Sequence, residues 1–353
     1  MSIALLVGAL NPSTSAQFYL YAGSASPATL TLNSSAFGTP PAFISLGAGG
    51  LAYVANEGKA TAGVTSVLIT SADSGAPTVT TLGFAATDEP CHVAVHPSRS
   101  WVFTASYSAG TVSVLPVDSS TGAAKAPTSV VAPAGAAANA HEVVFAGEGE
   151  DVYVPLLGAD AIACFKFNAS SGALSLESLF ALPAGSGPRH IALHPLIPTS
   201  LYVVCELASV VIPLARDAAT GALSFTEQLP LSIVRPGLPV PDVQAACDVL
   251  VSPDGRYLYA TNRASPFGSG DNSIFFVPLL GDGSLGGVSS WVGAAEINFP
   301  RHANFIDNGR SLVVANQKGG NVGVYSRNAE TGQLVFASAI DCNGAPVSWV
   351  GGV

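Results

Sequence analysis

Short apolar segments alternate with polar turns along most of the chain, and they recur with a period of about fifty residues. One segment of each period can be aligned with the corresponding segment of the next. The last residues of these aligned segments lie 50, 50, 49, 57 and 54 residues apart. A regular period of this length is typical of a repeat architecture. The segments are AYVANE ending at Glu57, VFTASY at Tyr107, VYVPLL at Leu157, LYVVCE at Glu206, LYATNR at Arg263 and LVVANQ at Gln317.

Each period contains three further apolar segments. The segments upstream of the aligned set are PAFISLG, CHVAVHP, HEVVFAG, RHIALHP, CDVLVSP and RHANFID. Turns such as HPSRS, SPDGR and DNGRS separate the two segments, and a third and a fourth segment follow, as in GTVSVLPVD and NVGVYSR. The apolar segments are short and rich in Val, Tyr, Phe and Thr, and the chain has 37 Gly and 25 Pro, so strands are favoured over helices.

Four antiparallel strands per period predict the blades of a β-propeller. Six periods run from about Pro40 to Cys342. The remaining segments, IALLVGAL and FYLYAGS at the start and APVSWVGGV at the end, predict a seventh blade that both termini complete, which would remove an exposed sheet edge. We therefore predict an all-β, seven-bladed β-propeller in a single domain over residues 1–353. A pair of β-sandwiches is the alternative, and it would leave the even spacing unexplained.

Composition restricts the partners that we expect. The formal net charge is −10 and no long basic run occurs, so we predict no nucleic-acid partner. No apolar run reaches the roughly 18 residues of a membrane helix, and MSIALLVGAL lacks the basic region of a signal peptide, so we predict no membrane partner. Five cysteines without close spacing indicate reduced thiols and a cytoplasmic protein, in which the sequons at Asn33 and Asn168 have no role. We expect a monomer or a weak oligomer.

The ionisable and polar side chains are concentrated at two positions of the repeat. The start of the first strand and the end of the second lie at the same end of an antiparallel pair, so both positions would surround one mouth of a propeller channel. Structural positions should converge on one residue type, whereas these diverge. Guanidinium, carboxylate and imidazole groups together predict a pocket for a small anion. The residues are His92, His141, Arg189, His190, Asp248, Arg301 and His302 at strand starts, and Glu57, Tyr107, Glu206, Arg263 and Gln317 at strand ends.

Two segments, CHVAVHP and RHIALHP, carry histidines four residues apart, a spacing that makes a metal site on a helix. On a strand the rise of about 3.3 Å per residue places two such rings roughly 13 Å apart, so we predict no metal site in these segments. A metal held by histidines of different blades, helped by Glu57, Glu206 or Asp248, is the alternative.

Structural roles are the alternatives for individual residues. His141 could be a core histidine with satisfied hydrogen bonds. Glu206 could form a structural ion pair with Arg189 or Arg263, because its strand is too apolar to bury an unpaired carboxylate. Glu57 could be a solvated loop residue, and Arg301 could hold a neighbouring blade.

At these residues the chain resembles the seven-bladed propeller lactonase family, which includes propeller-type 6-phosphogluconolactonase and the fungal 3-carboxy-cis,cis-muconate lactonizing enzyme. The resemblance covers nearly the whole chain, and its clearest motifs are GPRHIALHP, YVVCEL, SPDGRYLYATNRAS and ANQKGGNVGVYSRNAETGQL. It implies four catalytic residues, which also belong to the set taken from the repeat: His141 in NAHEVVF, Arg189 in GPRH, Glu206 in VVCEL and Arg263 in TNRAS. The other members of that set are candidates for substrate binding: His92, His190, Tyr107, Arg301, His302, Gln317, Glu57 and Asp248.

The predicted function is hydrolysis of an anionic sugar-type lactone, such as 6-phosphogluconolactone, without a metal or another cofactor. Arg189 and Arg263 would bind the anion and polarise the lactone carbonyl. Glu206 and His141 would act as general base and acid, in an order that the sequence leaves open. Lactonization of a carboxylated muconate (a polycarboxylate) by a cycloisomerase is the alternative, and a non-catalytic binding platform is the second. The insertion SPFGSGDN is a candidate lid loop.

Overall fold

The computed structural model describes residues 3–11, 14–21, 28–30, 34–38, 40–70, 78–238, 244–264, 271–293 and 295–352. Asn33 and residues 265–270 of the candidate lid loop lie outside these ranges. The chain forms two compact units: Met1–Phe180 with Val353, called the first unit, and Ala181–Gly352, called the second unit.

Strands make up most of the first unit. Within its described residues, β1, β2 and β3 pair in sequence order, and three four-stranded sheets follow, formed by β4 to β7, β8 to β11 and β12 to β15. The strands are β1 (Ile3–Asn11), β2 (Thr14–Tyr21), β3 (Ala28–Leu30), β4 (Pro41–Leu46), β5 (Leu51–Asn56), β6 (Gly63–Thr70), β7 (Thr78–Ala86), β8 (Pro90–Val95), β9 (Trp101–Ser106), β10 (Thr111–Pro116), β11 (Ser129–Val131), β12 (Val144–Ala146), β13 (Asp151–Leu156), β14 (Ala161–Asn168) and β15 (Ala173–Ala181). Short 3₁₀ turns cover Ser34–Phe37, Ala48–Gly50, Lys59–Thr61, Ala136–Ala138 and Leu157–Ala159.

The second unit repeats this arrangement. Its described residues form three sheets, made by β16 to β19 with β20 beside β18, by β21 to β24, and by β25 to β28. The strands are β16 (Pro188–Leu193), β17 (Ser200–Cys205), β18 (Val210–Arg216), β19 (Leu223–Phe225), β20 (Leu231–Ser232), β21 (Gln244–Val251), β22 (Tyr257–Ala264), β23 (Ser273–Pro278), β24 (Ser290–Val292), β25 (Pro300–Ile306), β26 (Ser311–Asn316), β27 (Asn321–Arg327), β28 (Leu334–Asp341) and β29 (Val347–Gly352). A 3₁₀ turn covers Asp307–Gly309.

The predicted blades of four antiparallel strands are confirmed. The first strand of the third period is shorter than the segment HEVVFAG suggests, because the ladder between β12 and β13 reaches only from Val144 to Ala146. Pro155 lies in β13 where the ladder would continue, and it has no N–H to donate. Its carbonyl instead accepts the N–H of His141 at 3.0 Å. His141 therefore precedes β12 and does not open it.

Successive sheets of a unit pack through apolar side chains. In the first unit Phe103, Val152 and Phe165 belong to one buried cluster, and in the second unit Tyr202 and Leu258 belong to another. The inner strands are buried on both faces, which explains why their apolar residues form nearly continuous runs.

Buried tyrosines also join neighbouring sheets of the same unit. Each lies on the second strand of its sheet and donates its hydroxyl hydrogen to the carbonyl of a turn glycine in the next sheet. This recurring bond explains the Tyr that several of the aligned segments share. The bonds are Tyr53 to Gly122 (2.8 Å), Tyr202 to Gly283 (2.5 Å) and Tyr259 to Gly332 (2.6 Å).

A β-bulge recurs near the start of the first strand of several sheets. In β16 Pro188 pairs with Cys205 and His190 pairs with Val204, so Arg189 is an extra residue. The register shifts in the same way at Cys91 in β8 and at Arg301 in β25. Because a bulge redirects the side chain of its extra residue, this irregularity sets the direction of Arg189 and Arg301.

Candidate active site

The second unit brings together Arg189, Glu206 and Arg263. Glu206 is the first residue after β17, and its Oε2 lies 2.9 Å from Arg189 Nε and 3.0 Å from Arg263 Nη2. The guanidinium side chains are 3% and 6% exposed, whereas the Glu206 side chain is 23% exposed. Solvent therefore reaches this cluster at the carboxylate, which is held between two buried cations.

Neighbouring groups fix both guanidiniums. Arg189 Nη1 donates to the carbonyl of Cys247 at 2.5 Å, and Arg263 Nε donates to the carbonyl of Ala245 at 3.3 Å. The Arg263 guanidinium also lies 5.0 Å from the centre of the Phe299 ring, a cation–π distance. Both charges are thus held in place by groups of the protein itself. Strand β22 continues one residue past Arg263, so this residue lies within the strand and not at its end.

A second layer of ionisable residues adjoins Arg189. His190 Nδ1 lies 2.8 Å from Asp248 Oδ1, and His302 Nε2 lies 3.9 Å from Asp248 Oδ2. All three residues are buried. Burial lowers the pKa of His190 well below its usual value, and the charges of nearby arginines lower it further. Burial also lowers the pKa of His302 to about 4, although the Asp248 charge opposes this shift.

Positive charge is concentrated around His190. Arg189, Arg263 and Arg301 all lower the pKa of His190 through their charges, and Glu206 and Asp248 are carboxylates that contact this group. Three guanidiniums thus act on one imidazole in a chain whose formal net charge is −10. The arrangement therefore favours an anionic ligand.

Lys318 adds a further cation that the sequence analysis missed. Its Nζ lies 4.4 Å from the centre of the Phe299 ring, the same ring that Arg263 contacts. The backbone N–H of the preceding residue, Gln317, donates to the carbonyl of Phe299 at 3.0 Å, which ties this segment to the ring. The available signal was the position of Lys318, directly after the strand-end residue Gln317 in the motif ANQKGG.

In the first unit four polar residues lie near the starts of β8 and β12. The rings of Tyr107 and His141 meet edge to face, with centres 5.7 Å apart. His92 Nδ1 accepts the N–H of Val143 at 3.4 Å, and His92 Nε2 lies 3.9 Å from Glu142 Oε1. The sequence analysis missed Glu142, although it directly follows His141.

Two other candidates, Glu57 and Arg301, each take part in a hydrogen bond through the backbone. Glu57 follows β5, and its N–H donates to the carbonyl of Pro40 at 3.2 Å. Arg301 is the bulge residue of β25, and its carbonyl accepts the thiol of Cys247 at 2.8 Å. The assignment of these residues and of Gln317 to substrate binding stays a prediction.

The second histidine of each HxxxH segment has a structural role. His96 and His194 follow the ends of β8 and β16, and their Nε2 atoms lie 3.2 Å and 3.0 Å from the carbonyls of Gly149 and Gly255. The predicted placement of these segments on strands is confirmed. Among the described residues, no group of three or more His, Cys, Asp or Glu side chains is arranged to hold a metal ion.

The first unit also contains an open cavity of about 760 Å³. Its lining includes His96, Glu150, Lys166 and Asn168, so it lies at the end of β8 that is remote from His92. It is separate from the residues that the repeat identified.

No helix in the described part of the chain is long and apolar enough to span a bilayer.

Comparisons with known proteins agree with this architecture. The chain is 30% identical over 254 residues to the 6-phosphogluconolactonase of Bacillus subtilis, covering 70% of this chain and 68% of that protein. It is 28% identical over 249 residues to the 6-phosphogluconolactonase of Cronobacter sakazakii, covering 69% and 68%. The structure of a periplasmic gluconolactonase of Pseudomonas aeruginosa has the same fold, with a TM-score of 0.86, 23% identity and coverage of 100% of this chain and 99% of that one. Residues 4–349 match the family described as Lactonase, 7-bladed beta-propeller, and the chain therefore belongs to this family.

Proposed function

We propose that this protein hydrolyses an anionic sugar-type lactone, such as 6-phosphogluconolactone, and that it uses no metal ion or other cofactor. The observation that carries the proposal is the partly exposed Glu206 carboxylate between the buried guanidiniums of Arg189 and Arg263. This grouping combines a proton acceptor that solvent can reach with two fixed positive charges. A lactonase needs both for an acidic substrate.

The chemistry follows from these groups. A water molecule attacks the lactone carbonyl carbon while Glu206 takes up one of its protons. Arg189 and Arg263 stabilise the negative charge that develops on the carbonyl oxygen, or bind the carboxylate or phosphate of the substrate. The ring C–O bond then breaks, and the ring oxygen takes a proton and leaves as the hydroxyl of an open-chain hydroxy acid. The assignment of His141 as the partner of Glu206 in proton transfer stays a prediction from the sequence.

Family membership and charge support the same substrate class. The relatives in Bacillus subtilis and Cronobacter sakazakii carry the name 6-phosphogluconolactonase, and the structural neighbour in Pseudomonas aeruginosa is named a gluconolactonase. These names agree on a sugar lactone. The buried guanidiniums of Arg189 and Arg263 in the second unit favour a lactone that bears an anionic group.

The remaining expectations of fold and location stay predictions. The family description supports seven blades, and the sharing of one blade by the two chain termini would be tested by deleting Val347–Gly352 and measuring the unfolding transition. The described cysteines are buried thiols, which agrees with a reducing compartment such as the cytoplasm. A monomer or weak oligomer is also still expected.

The test is lactone turnover by the Glu206→Gln variant. We expect a loss of roughly 100-fold or more in kcat, because the neutral amide cannot accept the proton of water. Glu227→Gln is the matched control in the same unit, since Glu227 is exposed. Near-normal turnover by Glu206→Gln would contradict the proposal. Loss of diene absorbance on mixing the wild-type protein with 3-carboxy-cis,cis-muconate would show cyclisation instead.

A further inference from the structure

His190 and Asp248 form a buried pair that adjoins Arg189. The residues are 4% and 5% exposed, and the neighbouring Arg189 is 2% exposed. His190 Nδ1 lies 2.8 Å from Asp248 Oδ1, and His190 Nε2 lies 3.2 Å from Arg189 Nη1. The imidazole thus connects a buried carboxylate to the guanidinium that binds Glu206.

The direction of each hydrogen bond follows from the chemistry of the partners. An ionised carboxylate only accepts, so the Nδ1–H of His190 donates to Asp248. A neutral imidazole has one donor, which leaves Nε2 as the acceptor for the N–H of Arg189 Nη1. Burial and the charges of three arginines lower the pKa of His190 well below its usual value, which keeps the ring neutral at pH 7. The chain of donors therefore runs from Arg189 through His190 to Asp248.

Asp248 is itself fixed by the backbone. Its Oδ1 also accepts the N–H of Val249 at 3.0 Å, and its Oδ2 accepts the N–H of Ala303 at 2.8 Å. Its own N–H donates to Thr261 Oγ1 at 3.1 Å. The carboxylate therefore has little freedom to move, and the imidazole bound to it has a defined orientation.

Arg189 needs such support because it is the extra residue of a bulge. The regular ladder does not determine the direction of its long side chain, so side-chain and carbonyl contacts must do so. We infer that Asp248 and His190 are positioning residues, which hold the Arg189 guanidinium in the orientation that lactone hydrolysis requires. The kinetic part of this inference rests on the proposed function. It adds a positioning role to the substrate contact expected for these two residues from the sequence.

Two substitutions of His190 separate the loss of its bond to Arg189 from the loss of side-chain volume. In His190→Asn the amide nitrogen takes the place of Nδ1 and retains the bond to Asp248, but nothing reaches Arg189. In His190→Gln the amide oxygen reaches the place of Nε2 and retains an acceptor for Arg189. We expect kcat/KM to fall about 10- to 100-fold in His190→Asn and to stay within a few-fold of wild type in His190→Gln.

His194→Asn is the matched control. His194 is buried to the same extent, follows the same strand, and bonds to the carbonyl of Gly255. This variant should lower the melting temperature and leave kcat/KM unchanged. Equal kcat/KM in His190→Asn and the wild type would overturn the inference, and so would equal losses in the two His190 variants.

A double-mutant cycle tests whether the effect passes through Arg189. In an Arg189→Ala background, His190→Asn should change kcat/KM less than about twofold, because its target is already absent. If the kcat/KM losses of the two single variants instead multiply in the double variant, the inference is overturned while the proposed function stands. If no lactone is turned over, the proposed function fails, and NMR of the wild-type chain still decides the positioning role. We expect a His190 ring that is protonated at Nδ1. We also expect the Arg189 Nε–H to exchange faster with solvent in His190→Asn than in His194→Asn. Protonation of the ring at Nε2, or equal exchange rates in the two variants, would overturn the inference.

Discussion

Removal of the Glu206 charge should strengthen the binding of an anionic product while it slows turnover. The Glu206→Gln variant keeps the size of the side chain and leaves Arg189 and Arg263 in place, so the positive charge of the cluster rises by one. An anion bound to both guanidiniums lies near the Glu206 carboxylate, because that carboxylate is 2.9 Å and 3.0 Å from them. The wild-type protein therefore binds the product against a repulsion that the variant lacks.

The size of this effect can be estimated from the structure. Two unit charges about 5 Å apart repel by about 3 kcal/mol at an effective dielectric constant of about 20. Solvent screening at the 23%-exposed side chain reduces this to about 1–2 kcal/mol. This free energy corresponds to a Kd about 5- to 30-fold lower for the variant.

Isothermal titration calorimetry with 6-phosphogluconate at low ionic strength measures the difference. Glu227→Gln changes the net charge by the same amount at an exposed site of the same unit and should leave the Kd nearly unchanged. An equal or higher Kd for Glu206→Gln than for the wild type would refute the reasoning, since it would mean that the anion does not bind beside this carboxylate.

Three further predictions concern stability, measured as the free energy of unfolding in urea. Arg327→Leu should lower the free energy of unfolding by about 2 kcal/mol, because both Oδ atoms of Asp254 lose their hydrogen bonds to the guanidinium at 2.8 Å and 2.7 Å. An unchanged free energy of unfolding would argue against a stabilising role of the Arg327–Asp254 pair. Tyr202→Phe should cost about 1 kcal/mol through the lost bond to Gly283, and a stabilised variant would contradict that role. Burial lowers the pKa of His302 to about 4. Between about pH 6.5 and pH 4 the unfolded chain therefore binds a proton that the folded chain does not. The free energy of unfolding should fall as the pH falls through this window. His302→Gln should flatten that pH dependence, and an unaltered slope would exclude His302 as its source.

The sequence predicted the strands well because the repeat supplies six independent copies of one pattern. The strand ends at Glu57, Tyr107, Glu206 and Gln317 agree with the structure, since a polar residue after an apolar run marks the point where a buried strand ends. The grouping of Arg189 with Glu206 followed from the same register.

Features that depend on register shifts could not be predicted. A bulge adds one residue without changing composition, so the sequence does not show that Arg189 is the extra residue of β16. The early end of the ladder before β12 depends on a proline in the partner strand, and the pattern of HEVVFAG does not contain that information. Glu142 and Lys318 were missed because each lies one residue beyond the repeat position that was compared.

The bulge in the first strands has a consequence for how new specificities can arise on this scaffold. Cys91 in β8 and Arg189 in β16 occupy the same extra position, and the ladder on either side pairs in the same way. The same bulge therefore accommodates a thiol in one strand and a guanidinium in another. We expect a library restricted to these few positions to vary the group that each strand presents to a ligand, and thermal unfolding of each variant would show which substitutions the fold accepts.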